Sequence, residues 1–162
     1  LQFKFKEIKV QAACDLNGKW HSKFPIIDWS NVTRNKYYVC YGAYYDNHWF
    51  AVAIWSTPVA ANRFKNGDKL LELRRMAIKD EAPKNTASRM LGWMRRDITK
   101  RFPSIIKLIS YQDTEAHNGT IYKAAGWKLA EKSGSNMDWT TSKRKRNPVQ
   151  SEAVKIRWEL EI

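Results

Sequence analysis

The sequence predicts a single α/β domain built around a mixed β-sheet, and three features of its 162 residues indicate this class. Two segments rich in aromatic and β-branched residues meet at a short turn, as the strands of an antiparallel hairpin do. A strand-like segment is then followed by a long segment with helical periodicity. The remaining elements again alternate strand and helix, so a helical crossover makes two strands of the sheet parallel.

The first part of the predicted sheet is a hairpin and the strand after it. Residues 37–45 and 48–55 are the two aromatic, β-branched segments, and Asp46 and Asn47 between them tolerate the backbone of a two-residue turn. Residues 70–78 have the apolar density of a buried strand. We therefore expect three sheet strands before the long helix.

The long helix is predicted from Asn85 to Phe102. Its apolar residues recur at steps of three and four, the period of a helix with one buried face. These residues are Ala87, Met90, Leu91, Met94, Ile98 and Phe102. Pro103 is expected to end the helix, because proline cannot continue the hydrogen-bond pattern.

Four shorter elements complete the predicted chain. Residues 105–111 and 127–131 are interpreted as strands, and residues 116–125 between them as a helix that stops at a glycine. Residues 154–162 alternate apolar and charged side chains strictly, which predicts a closing strand with one buried face. The strand at 105–111 is expected to lie parallel to the strand before the long helix.

The composition excludes several classes of protein. Hydrophobic residues make up 43% of the chain and aromatic residues 13%, which is too apolar for a disordered segment. No apolar run approaches the roughly 18 residues of a membrane-spanning helix, and no signal peptide is recognisable, so we expect a cytoplasmic protein. The two cysteines, Cys14 and Cys40, indicate neither a disulfide framework nor a zinc site.

The chain is strongly basic, with 29 lysines and arginines against 16 acidic residues and a formal net charge of +13. Such a charge predicts a polyanionic partner, nucleic acid ahead of a membrane surface, because neutralised phosphates release counterions. Lys143, Arg144, Lys145 and Arg146 are the expected phosphate contacts, and Trp139 an expected stacking ring. The sequence leaves open whether the protein is a monomer or a homodimer.

Two carboxylates follow the predicted strand at 105–111. Asp113 and Glu115 lie where open α/β sheets place ligands, beyond the carboxyl end of a parallel strand. An enzyme that acts on an amine needs a base or a charge partner there. The alternative is that both residues only interact with the dipole of the next helix.

Adjacent arginines occur in the predicted strand at 70–78. Alternation predicts that Arg74 and Arg75 point to opposite faces of the sheet, with Glu72 on the face of Arg74. We expect Arg75 in the site and Arg74 in a structural ion pair, because a buried guanidinium needs an anionic partner.

The three histidines are His21, His48 and His117. His48 lies beside Asp46 at the hairpin turn, where it could orient a substrate. No histidine spacing typical of a metal site occurs, so no metal is predicted from the pattern. If iron or zinc is used, the expected ligands are His48, Asp46, Asp113 and His117.

The order of elements, together with HNGTIYKAAGW at 117–127, resembles the GNAT superfamily of N-acetyltransferases. The last core helix of that superfamily carries an Asn, a Tyr four residues later and a Gly-aromatic pair, and Asn118, Tyr122, Gly126 and Trp127 match them. The resemblance implies one GNAT-like domain over residues 1–162, with a partly splayed mixed sheet flanked by helices. It also implies that Tyr122 protonates or hydrogen-bonds the group donor, core packing being the alternative.

The same resemblance implies acetyl-CoA as cofactor, lying between the splayed strands with its pyrophosphate at the start of the long helix. The implied cofactor-binding residues are Lys84, Asn85, Thr86, Ala87, Ser88, Arg89 and Asn118. This loop departs from the superfamily because it contains no glycine, and Cβ atoms hinder the approach of backbone to phosphate. Lys84 and Arg89 would supply positive charge.

A closer resemblance is to the Mom-like branch of phage DNA-modification proteins. It rests on LELRRMAI at 71–78, NTASRMLGWMRRDI at 85–98, ISYQDTEAHNGTIYKAAGW at 109–127 and KIRWE at 155–159. Members convert adenine in phage DNA to a methylcarbamoyl, acetamido-type derivative at its exocyclic amine, which shields the DNA from host restriction nucleases.

This resemblance implies a phage- or prophage-encoded anti-restriction enzyme that acts on double-stranded DNA in the bacterial cytoplasm. One alternative is an acyl-CoA-dependent N-acetyltransferase of a protein or a small amine. Another is a non-catalytic nucleic-acid-binding module on a GNAT-like fold, which the glycine-free loop keeps open.

Overall fold

The computed structural model describes residues 3–20, 27–59, 61, 64, 66–113, 119–133 and 155–162. The strands are β1 (Lys4–Ile8), β2 (Tyr38–Tyr45), β3 (His48–Ser56), β4 (Leu70–Ile78), β5 (Lys107–Asp113), β6 (Lys128–Ser133) and β7 (Lys155–Glu161). The helices are α1 (Val10–Trp20), α2 (Trp29–Thr33), α3 (Thr86–Arg101) and α4 (Thr120–Ala124), with a short 3₁₀ helix at Gly67–Lys69.

The strands form one seven-stranded sheet in the order β1-β2-β3-β4-β5-β7-β6. All neighbouring strands are antiparallel except β4 and β5, which are parallel and joined through α3. The predicted α/β class with a mixed sheet is confirmed. None of the helices in the described part of the chain combines the length and hydropathy that a membrane crossing requires.

The predicted hairpin is confirmed in detail. Tyr45 pairs with His48, and the two turn residues between them, Asp46 and Asn47, have φ angles of 48° and 62°. Two consecutive positive φ angles are the backbone of a type I′ turn, whose twist matches that of the strands it joins. Asn and Asp adopt this conformation more readily than other non-glycine residues.

The first 36 residues contribute elements that the sequence analysis did not assign. β1 pairs with β2 along the edge of the sheet, and α1 packs across β2, β3 and β4. The edge strand β1 has only five residues and α1 only eleven, so each gives a shorter periodic pattern than α3 with its sixteen residues. Tertiary packing, more than local sequence, therefore defines this region.

The face of the sheet covered by α3 and α4 holds the larger hydrophobic core. Trp55 is fully buried at its centre, and its indole N–H donates a hydrogen bond to the sulfur of Met94 at 3.1 Å. The predicted apolar stripe of α3 lies here, including Met90, Leu91 and Ile98. Side chains of β1 and of β7 also pack in this core, so strands at or near both edges of the sheet contribute to the same core as α3.

The opposite face is covered by α1 and α2 and has a smaller core. It contains both cysteines, Cys14 and Cys40, together with Val32, Ile54 and other small aliphatic side chains. Burial raises the pKa of Cys40 to about 12 and also raises the pKa of Cys14, so both thiols stay protonated near neutral pH. These cysteines pack as apolar residues.

A β-bulge in β4 corrects the predicted orientation of the two arginines. Ile54 of β3 pairs with Arg75, whereas the next residue, Trp55, pairs with Leu73, so Arg74 is an extra residue in β4. Leu73 shares the α3 face with Trp55, and Arg75 shares the α1 face with Ile54. Arg74 also contacts α2, so both arginines lie on the same face. The predicted opposite orientation is wrong because the bulge interrupts strict alternation.

Candidate active site

An opening in the sheet separates the carboxyl-terminal halves of β4 and β5. The two strands pair through residues 70–73 and 107–110, and the last pair is Leu73 with Ser110. Beyond it, residues 75–78 pair only with β3 and residues 111–113 only with β7. Within the described residues, no ladder joins β4 to β5 beyond the Leu73–Ser110 pair, so the two strands diverge there.

The bulge explains where the opening begins. Arg74, the extra residue, directly follows Leu73, the last residue of β4 that pairs with β5. A bulge bends its strand and increases the local twist, and this bend turns β4 away from β5. The opening is therefore a consequence of the register shift with β3.

The hydroxyl of Tyr122 lies at the closed end of this opening. It forms a 2.8 Å hydrogen bond with the hydroxyl of Ser110, the last β5 residue that pairs with β4. Burial raises the pKa of Tyr122, and this effect outweighs the Ser110 hydrogen bond, which lowers it. Tyr122 is therefore protonated at neutral pH and can donate its proton to an acceptor.

The ring of Tyr122 is part of the hydrophobic core. It stacks on Trp158 with a centroid distance of 5.6 Å and an angle of 12°, and it meets the edge of Trp127 at 5.5 Å. The two interpretations of Tyr122, core residue and site residue, are compatible because the ring is packed while the hydroxyl lies at the opening. The packed ring fixes where that hydroxyl can be.

One further hydrogen bond and one close packing contact surround Trp158 beside β5. The indole N–H of Trp158 donates a 2.7 Å hydrogen bond to the side-chain oxygen of buried Gln112. Gly119, just before α4, lies so close that a Cβ would be 2.5 Å from the Trp158 ring. Sequence analysis missed Ser110, Gln112 and Trp158 as supports of the site, although Ser110 and Gln112 follow Leu108 at the two-residue period of a strand face.

The loop before α3 makes its turn without glycine. Asn85 has φ 66° and ψ 16°, the left-handed conformation that glycine usually takes. The backbone N–H of Thr86 donates to Pro83, and that of Arg89 to Asn85. Between them lie Ala87 and Ser88, whose amides belong to the first turn of the helix. The missing glycine therefore does not prevent the loop from presenting backbone N–H groups.

The two basic residues of this loop differ in placement. Lys84 is exposed beside the turn. The guanidinium of Arg89 lies over the rings of Phe3 and Phe5 in the β1 region, at 5.7 and 5.9 Å from their centroids. Arg89 is thus directed toward the edge of the sheet formed by β1, on the side of α3 remote from β5.

The arginine pair lies on the α1 face beside the opening. Arg74 donates to the backbone oxygen of Asn31 at 3.0 Å and to the hydroxyl of Ser56 at 3.3 Å, which ties β4 to α2 and β3. Arg75 donates to the backbone oxygen of Arg74 at 2.7 Å. Burial lowers the pKa of both guanidinium groups, and Glu72 counteracts this through its negative charge. Arg75 as a catalytic residue stays a prediction.

His48 and Asp46 are exposed at the tip of the hairpin. Because β3 runs antiparallel to β4, this tip lies at the same end of the sheet as the opening. Within the described residues, no three histidine, cysteine or acidic side chains come together as a metal site. Asp113 is the last residue of β5. Its backbone pairs with Lys155 of β7, along the edge of β5 that faces away from the opening.

The remaining predicted site residues lie outside the described part of the chain. They are Glu115, His117, Asn118, Trp139, Lys143, Arg144, Lys145 and Arg146. Their roles as catalytic, cofactor-binding or DNA-binding residues stay predictions, as does the role of the Asp113 carboxylate. What the structure brings together around the opening is Tyr122, the bulge in β4 and the turn at Asn85.

A protein-family model matches the sequence of this chain, and solved structures match its fold. The model of the Mom protein family matches residues 2–159. No curated protein shows a significant match to the sequence. Among solved structures, a ribosomal-protein-alanine N-acetyltransferase from Brucella melitensis is similar with a TM-score of 0.70 at 10% identity, covering 98% of this chain and 99% of its own.

Two other acetyltransferases show the same likeness. An N-acetyltransferase from Staphylococcus aureus Mu50 has a TM-score of 0.69 at 9% identity, and 99% of each chain is covered. An acetyltransferase from Bacillus subtilis, solved in complex with CoA, has a TM-score of 0.62 at 8% identity, again with 99% of each chain covered. The predicted GNAT-like fold is therefore confirmed.

Proposed function

This chain belongs to the Mom protein family, and we propose that it is a transferase that modifies adenine in DNA. In this proposal a methylcarbamoyl, acetamido-type group is joined to the exocyclic amine of the base, and the product protects DNA from restriction nucleases. The observation that carries the proposal is the family match, which extends over residues 2–159. A GNAT-type fold supports group transfer to an amine.

The net charge of +13 supports double-stranded DNA as the substrate. The exocyclic amine of a paired adenine is stacked inside the duplex, so the target nucleotide has to be extruded before it can react. An opening at the end of the sheet, rather than a closed cavity, suits a base that enters while attached to its strand.

The residues before and along α3 fit an acyl-CoA as group donor. Asn85 supplies the turn, and Ala87 and Ser88 have small side chains at the first helical turn, where backbone N–H groups favour a pyrophosphate. Lys84 would add positive charge. When bound, an acyl-CoA would supply an activated thioester carbonyl, with the thiol of coenzyme A as the leaving group. Because an acetyl group carries no nitrogen, the amide nitrogen of the acetamido-type product would come from a separate amine-nitrogen donor. The CoA complex of a protein with the same fold supports this assignment.

The chain's own residues would manage protons around that carbonyl. The Tyr122 hydroxyl is protonated and held at the closed end of the opening, where it would donate a hydrogen bond to the leaving group or the carbonyl. Asp113, at the end of β5, would accept the proton of the adenine amine.

Mass analysis of nucleosides from DNA of cells that express the protein tests this function. We expect a modified deoxyadenosine with the wild-type chain and at least a hundredfold less with Asp113→Asn, because the amide cannot accept a proton. Asp80→Asn, in the exposed loop after β4, is the matched control and should modify DNA normally. If DNA from cells that express the wild-type chain contains no modified adenine, the proposed function is contradicted.

A second candidate is an N-acetyltransferase of a protein or small amine, favoured by the ribosomal-protein-alanine acetyltransferase with the same fold. Incubation with acetyl-CoA carrying a labelled acetyl group separates the two. Label in protein or small amines, with none in DNA, would favour the second candidate.

A further inference from the structure

A groove between β1 and α3 lies on the side of α3 that faces away from the opening. Its volume is about 430 Å³, which is within the usual range of ligand sites. The residues that line it are Phe3, Lys4, Phe5, Arg89, Trp93 and Arg96. Half of them are basic and half aromatic, and no acidic residue of the described part of the chain lines the groove.

The aromatic rings of the groove form one connected surface. Phe3 and Phe5 meet edge to face at 5.2 Å, and Phe5 lies 6.0 Å from Trp93. Trp93 is supported from behind by the edge of buried Tyr41 at 5.3 Å. All three groove rings are only partly buried. A rigid and partly exposed ring surface of this kind can stack with a flat ligand.

The charges of the groove are not neutralised by the nearest acids. Asp97 accepts hydrogen bonds from the Tyr41 hydroxyl at 2.6 Å and from Arg101 at 3.1 Å. Glu7 pairs with Arg101 at 2.9 Å. Arg89 and Arg96 are two helical turns apart and therefore lie on the same face of α3. The groove thus keeps a net positive charge beside its rings.

We propose that this groove binds a single-stranded stretch of nucleic acid. Unpaired bases would stack on the rings, while Arg89 and Arg96 contact phosphates, which is the combination of groups that single strands require. The inference rests on the proposed function, because extrusion of a target base leaves nucleotides beside it unstacked. It adds a contact surface made of residues other than the basic cluster Lys143, Arg144, Lys145 and Arg146.

The position of the groove agrees with this role. Lys4, at the start of β1, pairs with Tyr44 near the end of β2, and Asn85 follows the end of β4. The end of the groove that Lys4 lines and the opening therefore lie at the same end of the sheet, on either side of the amino terminus of α3. A strand in the groove would lead past this terminus to the opening.

A pair of charge-matched double variants tests the groove. We expect Arg89→Gln with Arg96→Gln to weaken binding of a fluorescent single-stranded oligonucleotide about tenfold or more, measured by anisotropy at fixed salt. The control is Arg95→Gln with Lys100→Gln, two exposed residues of the same helix that do not line the groove. It removes the same charge and should weaken binding by about threefold or less.

Equal losses in the two double variants would overturn the inference, because the helix would then contribute only diffuse charge. Unchanged binding in the groove variant would also overturn it. If the double variant fails to fold, Arg96→Gln alone replaces it with Arg95→Gln as its control, since both side chains are exposed.

Photocrosslinking with an iodouracil-containing single strand gives an independent result. We expect crosslinks to Phe3, Phe5 or Trp93, and crosslinks found only outside the groove would contradict the proposal. Nucleoside analysis separates this inference from the proposed function. Normal adenine modification by a chain whose groove binds no single strand would overturn only the inference about the groove. Binding of a single strand in the groove without any modified adenine would overturn only the proposed function.

Discussion

The two flanks of β4 differ in how completely they are paired. On the β3 flank, pairing runs from Glu72 to Ile78, interrupted only by the bulge at Arg74. On the β5 flank, pairing stops after four residue pairs. The β3 flank, or closed flank, is filled by packed side chains, and the β5 flank, or open flank, has the Tyr122 hydroxyl beside its last residue pair. We therefore expect stability to depend mainly on the closed flank and the proposed chemistry on the open flank.

The largest expected effect on the closed flank is that of Trp55→Ala. Removing this fully buried ring should lower the free energy of unfolding by about 3–5 kcal/mol, because a cavity remains and the Met94 contact is lost. Trp29→Ala is the control, since Trp29 is 50% exposed and should cost less than about 1 kcal/mol. Chemical denaturation measures both, and similar losses would contradict the assigned core.

The closed flank should also show a dependence on alkaline pH through Cys40, which pairs with Ile54 of β3. Its pKa is about 12 in the folded protein against an ordinary value of 9.0. The unfolded chain loses this proton first, so the contribution of Cys40 to stability is fully present below about pH 9 and is lost as the pH rises toward 12. The expected slope is at most about 1.4 kcal/mol per pH unit.

Cys40→Ala should reduce this slope between pH 9 and 10, where a cysteine of the unfolded chain is at least half ionised and a tyrosine at most about half. Cys14, whose pKa burial also raises, should retain part of the slope. Denaturation curves at both pH values provide the measurement. An unchanged slope in Cys40→Ala would show that another group controls the alkaline limit.

On the open flank, Gly119→Ala should lower the free energy of unfolding by about 1–3 kcal/mol, because the new Cβ meets the Trp158 ring. Gly92→Ala in α3 is the matched control. Its Cβ has no neighbour closer than 3.7 Å, and alanine favours the helix, so a gain of about 0.5–1 kcal/mol is expected. If Gly92→Ala lowers the free energy of unfolding as much as Gly119→Ala does, the close contact of Gly119 with Trp158 is not the cause of the loss.

The smallest effect on stability is expected for Tyr122→Phe. The ring keeps its contacts with Trp158 and Trp127, so losing the Ser110 hydrogen bond should cost about 0.5–1.5 kcal/mol. Adenine modification should fall at least tenfold, because the proton donor at the closed end of the opening is gone. Ser110→Ala, which removes the same hydrogen bond but keeps the tyrosine hydroxyl, should retain more activity. Full activity in Tyr122→Phe would limit Tyr122 to core packing.

Much of the fold could be predicted because its central elements have strong periodic patterns. The apolar stripe of α3 and the two-residue turn at Asp46 and Asn47 agree with the structure within a few residues. The bulge could not be predicted, since two adjacent arginines look the same in a regular strand and in a bulged one. Only the pairing with β3 reveals which of the residues is extra.

Several residues of the candidate site could be predicted from the sequence, whereas their arrangement in space could not. The helix with Tyr122 was expected, but its partner Ser110 lies twelve residues earlier in a different element, and only packing brings them together. Asn85 illustrates a different limit. A loop without glycine suggested an obstacle, whereas the left-handed backbone of Asn85 performs the turn that glycine would have performed.

The bulge also predicts what the deletion of one residue from β4 would do. Removing Arg74 would leave Leu73 followed by Arg75, Met76 and Ala77, which alternate correctly between the α3 and α1 faces without any further change. The strand therefore contains exactly one more residue than its two hydrophobic patterns require. The opening between β4 and β5 depends on the number of residues in β4, so a single-codon deletion of Arg74 is expected to close it while leaving every core side chain in place.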